Sequence, residues 1–143
     1  IINNKLYQLP LKELETLRKD LIENKVALDS NDVLNIIDRN TFELRVDLEE
    51  CSKFNMKFRE DCVLSFVEGV FKLTQGKSGY GRNERAAYIS NLRSIDIFSD
   101  NSSIEIFIND GEEVFTSRVY NDMLDTNVIL EGEGTAIIKR WNI

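Results

Sequence analysis

Apolar and polar residues alternate with a period of two through most of the chain after Asp32. In FELRVDL, Phe42, Leu44, Val46 and Leu48 fall on one face and Glu43, Arg45 and Asp47 on the other, the pattern of a strand buried on one side. FNMKFR repeats it through Phe54, Met56 and Phe58. Further strands are predicted over Val33 to Ile37, Val63 to Val67, Val70 to Leu73, Ala86 to Ile89, Ile95 to Phe98, Val128 to Leu130 and Thr135 to Trp141. From Ser103 to Tyr120 two alternating runs flank Asn109-Asp110-Gly111, residue types that accept left-handed backbone, so a hairpin is predicted there.

Ahead of Asp32 the period changes. Leu11, Leu14, Leu17, Leu21 and Ile22 recur at three or four residues, and Pro10 stands where a first helical turn tolerates proline. The expected organisation is an interdomain linker with a short amphipathic helix over residues 1–31, followed by a β-module over residues 32–143. Many short strands without crossover helices exclude a βαβ array. The predicted fold is all-β: a two-sheet antiparallel β-sandwich with a short N-terminal helical segment, with a closed barrel as the alternative.

At 143 residues and 42% hydrophobic content the chain can bury one core. Lys and Arg total 18 against 25 Asp and Glu, for a formal charge of -7, so the basic footprint that nucleic acid or an anionic membrane requires is lacking and neither partner is expected. No apolar run approaches the roughly 18 to 20 residues of a membrane span. Because the chain opens at Ile1, it is expected to start at a processing or truncation boundary of a longer polypeptide. Cys51 and Cys62 are expected as thiols rather than a disulfide, which favours a cytoplasmic setting over the secretion that the sequon Asn101-Ser102-Ser103 would suggest.

The absence of histidine removes Ser-His-Asp and Cys-His nucleophile systems and histidine metal sites. Asp96, Asp100, Glu105, Asp110, Glu112 and Glu113 form the densest carboxylate set; they read as solvated surface and hairpin support rather than as the facing pair of a glycosidase. TQGKSGYGRNER, Thr74 to Arg85, lacks Walker spacing and reads as an inter-strand loop. Trp141, Tyr80, Tyr88 and Tyr120 read as half-buried aromatics in preference to a sugar-stacking platform. No catalytic residue, cofactor or metal ligand is assigned.

RSIDIFSDNSSIEIFINDGEEVFTSRVY, Arg93 to Tyr120, resembles the signature near the C-terminus of glycoside hydrolase family 32, the invertases, sucrose-6-phosphate hydrolases, inulinases and levanases. Its structural signature here comprises Asp100, Ser102, Ser103, Glu105, Phe107, Asn109, Asp110, Gly111, Thr116, Ser117 and Arg118. LPLKELETLR looks like the exit from that family's catalytic domain, and FELRVDL like the first strand of its accessory module. The resemblance implies a non-catalytic C-terminal β-sandwich that packs on and supports a five-bladed propeller carrying the active site. The family's catalytic Asn-Asp-Pro and Arg-Asp-Pro motifs have no counterpart, since Pro10 is the single proline. Glu50-Cys51-Ser52 imitates the acid/base motif but follows a module strand, so no catalytic role is transferred to it.

Two departures stand out: Asn101 replaces the usual Arg after Asp100, and Thr74-Gln75 replace an Asp-Arg-like pair. The partners implied are the missing propeller, further copies of the chain, and sucrose, sucrose 6-phosphate or fructan as substrate of the parent enzyme. The alternative reading is an independent carbohydrate-binding or protein-interaction module.

Overall fold

A computed structural model describes residues 12–76, 84–119 and 124–143. Among these, ten strands form one sheet: β1 (Lys19–Ala27), β2 (Val33–Asn35), β3 (Phe42–Phe58), β4 (Cys62–Val67), β5 (Val70–Gln75), β6 (Glu84–Tyr88), β7 (Ser94–Ser99), β8 (Ser103–Ile108), β9 (Glu113–Arg118) and β10 (Asn127–Asn142). All pair antiparallel. One path runs β6-β5-β4-β3-β7-β8-β9, and β10 pairs with β3 on one edge and with β1 and β2 on the other.

The expected two-sheet sandwich is therefore corrected to a single sheet curled into a nearly closed barrel. The reason lies in β3 and β10, which run through both flanks and pair with each other from Phe42–Asn142 to Lys57–Ile129. The first part of β3 holds β7 on its far edge and the last part holds β4, so one strand serves both flanks. Where the pair bends, Glu50 is left-handed at φ 52° and the register shifts between Glu133 and Thr135, as at a β-bulge. Gly132 makes the bend sterically feasible: at φ 146°, a Cβ there would lie 2.2 Å from the Lys53 carbonyl oxygen. Alternation breaks at the bend, which is why each long strand reads in sequence as two short ones.

The remaining gap is bridged by side chains. Phe71 of β5 packs on Phe115 of β9 with ring centroids 5.8 Å apart. The Ser117 hydroxyl donates to Gln75 Oε1 at 2.7 Å, Gln75 Nε2 donates to the Arg118 carbonyl at 3.1 Å, and Arg85 Nη1 donates to the Thr116 carbonyl. Inside, Phe42, Leu44, Phe54, Met56, Phe58 and Ile106 are among the fully buried apolar side chains, each contributing about 1.5–3 kcal/mol on burial.

The N-terminal amphipathic helix is also corrected. Leu11 and Pro10, and the side chain of Leu14, lie outside the described residues. Lys12–Leu17 is a six-residue 3-10 turn, and Lys19–Ala27, where the helical stripe would continue, is the edge strand β1. Leu17 and Leu21 are each 51% exposed, so these two side chains gain little from burial and the backbone of β1 instead pairs with β10. This strand escapes period analysis because among its side chains only that of Val26 is buried.

Candidate functional site

Among the described residues, charge pairs concentrate on the outer face of the β10-β3-β7-β8-β9 flank. Alternation along β3 turns Glu43, Arg45 and Asp47 outward, and register sets Trp141 opposite Glu43 and Asp96 opposite Arg45. Arg18, just after the 3-10 turn, closes on this face. Its Nε and Nη2 donate to the two Glu43 carboxylate oxygens at 2.7 and 2.8 Å, and its guanidinium lies 4.1 Å over the Trp141 ring. Glu43 is 0% exposed beneath it. The hydrogen bonds from Arg18 to Glu43 raise the arginine pKa above its ordinary value.

Arg45 is shared among three carboxylates: Asp47 at 3.1 Å, Asp110 at 3.1 Å and Asp96 at 3.7 Å. Asp96 is buried and its carboxyl meets that of Glu43. Burial, then hydrogen bonding to Glu43 and its charge, push the Asp96 pKa up to about 8 against the pull of Arg45 and Arg18. Burial beside Glu43 thus favours the protonated form of Asp96. Beside the network, Phe107 meets Phe98 edge to face at 5.9 Å, and Val114 stands next to Phe107 in register. Half-buried Trp141, Phe98 and Val114 and exposed Ile137 leave apolar surface around a charged centre. Arg18 thus holds both oxygens of Glu43, and Arg45 lies among Asp47, Asp96 and Asp110.

The signature residues divide by role. Asn109, Asp110 and Gly111 take three successive positive φ values, 51°, 56° and 101°. Buried Asn109 accepts from the Arg93 and Ser94 amides and donates to the Asn91 carbonyl, tying the preceding loop to the hairpin. Asp110 reaches Arg45, and Phe107 packs on the same face. Glu105 and Thr116 face each other, exposed, across β8 and β9. Ser117 and the Arg118 carbonyl belong to the seam, while Arg118 Nη1 donates to Ser102 Oγ at 3.5 Å.

Asp100 accepts from the Asn101 amide, its own amide bonds the Ser103 carbonyl, and buried Arg59 donates to the Asp100 and Asn101 carbonyls. Arg59 thus supports from a distant strand end the turn at which Asn101 departs from the family pattern. Of the carboxylates singled out in the sequence, Asp96 and Asp110 join the network. Glu43, Arg18 and Arg45 were missed, because outward charges on a strand read as solvated until the register and Arg18 bring them together.

Glu50-Cys51-Ser52 falls at the β3 bend, with the Cys51 thiol donating to the Lys53 carbonyl. Cys62 pairs with Phe58, seven residues along β3 from Cys51, roughly 23 Å at strand rise and beyond disulfide reach. Tyr80, Tyr120 and most of the Thr74 to Arg85 loop lie outside the described residues. Among the described residues no group of three or more acidic or cysteine side chains is placed to hold a metal.

A sequence profile described as "Glycosyl hydrolases family 32 C terminal" matches residues 13–143. The chain belongs to this family. This family 32 C-terminal domain is 34% identical over 124 residues to the sucrose-6-phosphate hydrolase of Bacillus subtilis (strain 168), covering 81% of the chain and 25% of that enzyme. It is likewise 34% identical over 137 residues to that of Vibrio alginolyticus, covering 89% and 26%. The structure of sucrose-6-phosphate hydrolase from Lactobacillus gasseri superposes with a TM-score of 0.78 at 22% identity, over 100% of this chain and 32% of that one. A family 32 glycoside hydrolase from Bifidobacterium adolescentis gives 0.73 at 16% identity, over 99% and 24%. The domain spans about a quarter of the length of the curated relatives it matches. It corresponds to the non-catalytic C-terminal module of family 32 enzymes.

Proposed function

We propose that this domain is the supporting module of a cytoplasmic β-fructofuranosidase that hydrolyses sucrose or sucrose 6-phosphate, and that it packs on a propeller catalytic domain through the face built on Arg18, Glu43 and Trp141. The observation that carries this is the way the chain reaches the sheet: Arg18, leading into β1, is clamped to a fully buried carboxylate and stacked on Trp141, and apolar side chains surround that point. A segment so held fixes the direction from which a preceding domain approaches. The named relatives, which are sucrose-6-phosphate hydrolases, supply the substrate class. The parent reaction uses two carboxylates, nucleophile and acid/base, with retention; both belong to the propeller.

The test compares sucrose and sucrose 6-phosphate hydrolysis by the catalytic domain with and without this module, and by the joined protein carrying Ile137→Asp with Trp141→Ala. Loss of the module is expected to lower the melting temperature and cut activity about tenfold or more, because a partner that binds only the folded catalytic domain stabilises it. The double substitution should reproduce part of that loss. Undiminished activity and melting temperature without the module overturn the reading.

A further inference from the structure

The other flank carries a cleft of about 400 Å³ on its outer face, within the roughly 300–1,000 Å³ of small-ligand sites. Its layout follows from the register. Glu133, Lys53, Val67, Val70 and Tyr88 stand opposite one another across β10, β3, β4, β5 and β6, forming one straight rung on the solvent side. Glu131 opposite Asn55 begins the next rung. Asn31, left-handed at φ 54° after the 3-10 turn Leu28–Ser30, lines one side, and the Ser52 hydroxyl holds Glu133 at 2.7 Å.

The rung changes character along its length. Glu133, Lys53, Asn55 and Asn31 offer carboxylate, ammonium and amide groups at one end, whereas Val67 at the cleft's edge leads in register to Val70 and Tyr88 beyond its lining, the last with a ring 86% exposed. From Lys53 to Tyr88 is three strand spacings, about 14 Å. A solvent-facing rung ordinarily carries polar side chains. An apolar strip leading out of a polar cleft matches a ligand that has hydroxyls on its rim and C–H faces on its flats. Mixed donors and acceptors suit hydroxyl groups, each of which donates and accepts. Two carboxylates against one lysine disfavour an anion, and the charged lining disfavours an apolar molecule.

We propose that this cleft binds a neutral oligosaccharide, with one unit among Glu133, Lys53 and Asn55 and the next laid over Val67, Val70 and Tyr88. The site shares no residue with the docking face, so it stands or falls separately from the proposed support of a propeller.

The test is a ¹H–¹⁵N titration of the 143-residue chain with sucrose, 1-kestose, maltotriose and xylotriose to about 20 mM, the range in which weak saccharide binding is read, with inorganic phosphate as the anion control. Shifts are expected at Lys53, Asn55, Val67 and Tyr88 for at least one saccharide. Tyr88→Ala and Asn55→Ala should each weaken them about tenfold with the melting temperature unchanged. The proposal is overturned if no saccharide moves these residues, if the shifts lie elsewhere, if phosphate alone produces them, or if they survive both substitutions.

Discussion

Asp96 stands on a strand face that ordinarily meets water, yet it is buried against Glu43, with Arg45 and Arg18 as the nearby cations and Asp47 and Asp110 sharing Arg45. Its folded pKa of about 8 lies above the ordinary 3.8, so between these values the folded chain binds more protons than the unfolded one. Its contribution is fully present below the lower value and is lost as pH rises through the upper. Asp96→Asn keeps a donor toward Glu43 without a titrating proton. In thermal melts from about pH 5 to about pH 8.5, the substitution should flatten the alkaline decline and raise the melting temperature at the upper end. An unchanged pH profile would show that Asp96 is ionised at neutral pH.

At the scale of elements, the β8–β9 hairpin is the most legible part of the chain. Ser103 to Ile108 forms a strand as predicted, and Asn109, Asp110 and Gly111 take the left-handed conformations that their chemistry tolerates. The long strands are the least legible, since a bend interrupts alternation without interrupting hydrogen bonding. Gly132 is the residue on which that bend depends. Gly132→Ala should cost about 3 kcal/mol or more in urea unfolding, because it combines a strained φ with a Cβ driven into a neighbouring carbonyl. A cost under about 1 kcal/mol would mean that β10 can shift away from β3 without loss. β1 was illegible for another reason: as an edge strand it is recruited by the free hydrogen-bonding edge of β10, and its own side chains are mostly exposed.

For the whole molecule, curvature brings β5 and β6 to β9, and the seam of Gln75, Ser117 and Arg85 is what turns an open sheet into a nearly closed one. Gln75 and Ser117 are buried, so Gln75→Ala and Ser117→Ala should each cost about 1–3 kcal/mol, part of it from the partner left unsatisfied. In the double mutant the losses should fall short of their sum by about 1 kcal/mol, as for residues in one network. Strict additivity in chemical unfolding would show that the seam is not cooperative.

By itself the sequence determined the all-β class, the hairpin and the family likeness, because these rest on local alternation, turn chemistry and a contiguous signature. It also placed the inward rows of the two halves of β3, Phe42 to Leu48 and Phe54 to Phe58. Tertiary structure alone decided that the two expected sheets are one, that Leu17 and Leu21 lie on a 3-10 turn and an edge strand, and that Arg18 meets Glu43 across 25 positions of chain. It likewise aligned Glu133 with Tyr88 across five strands. The physical reason is common to all of these: they depend on which strand edges pair and in what register, and that free energy comes from contacts between residues distant in sequence.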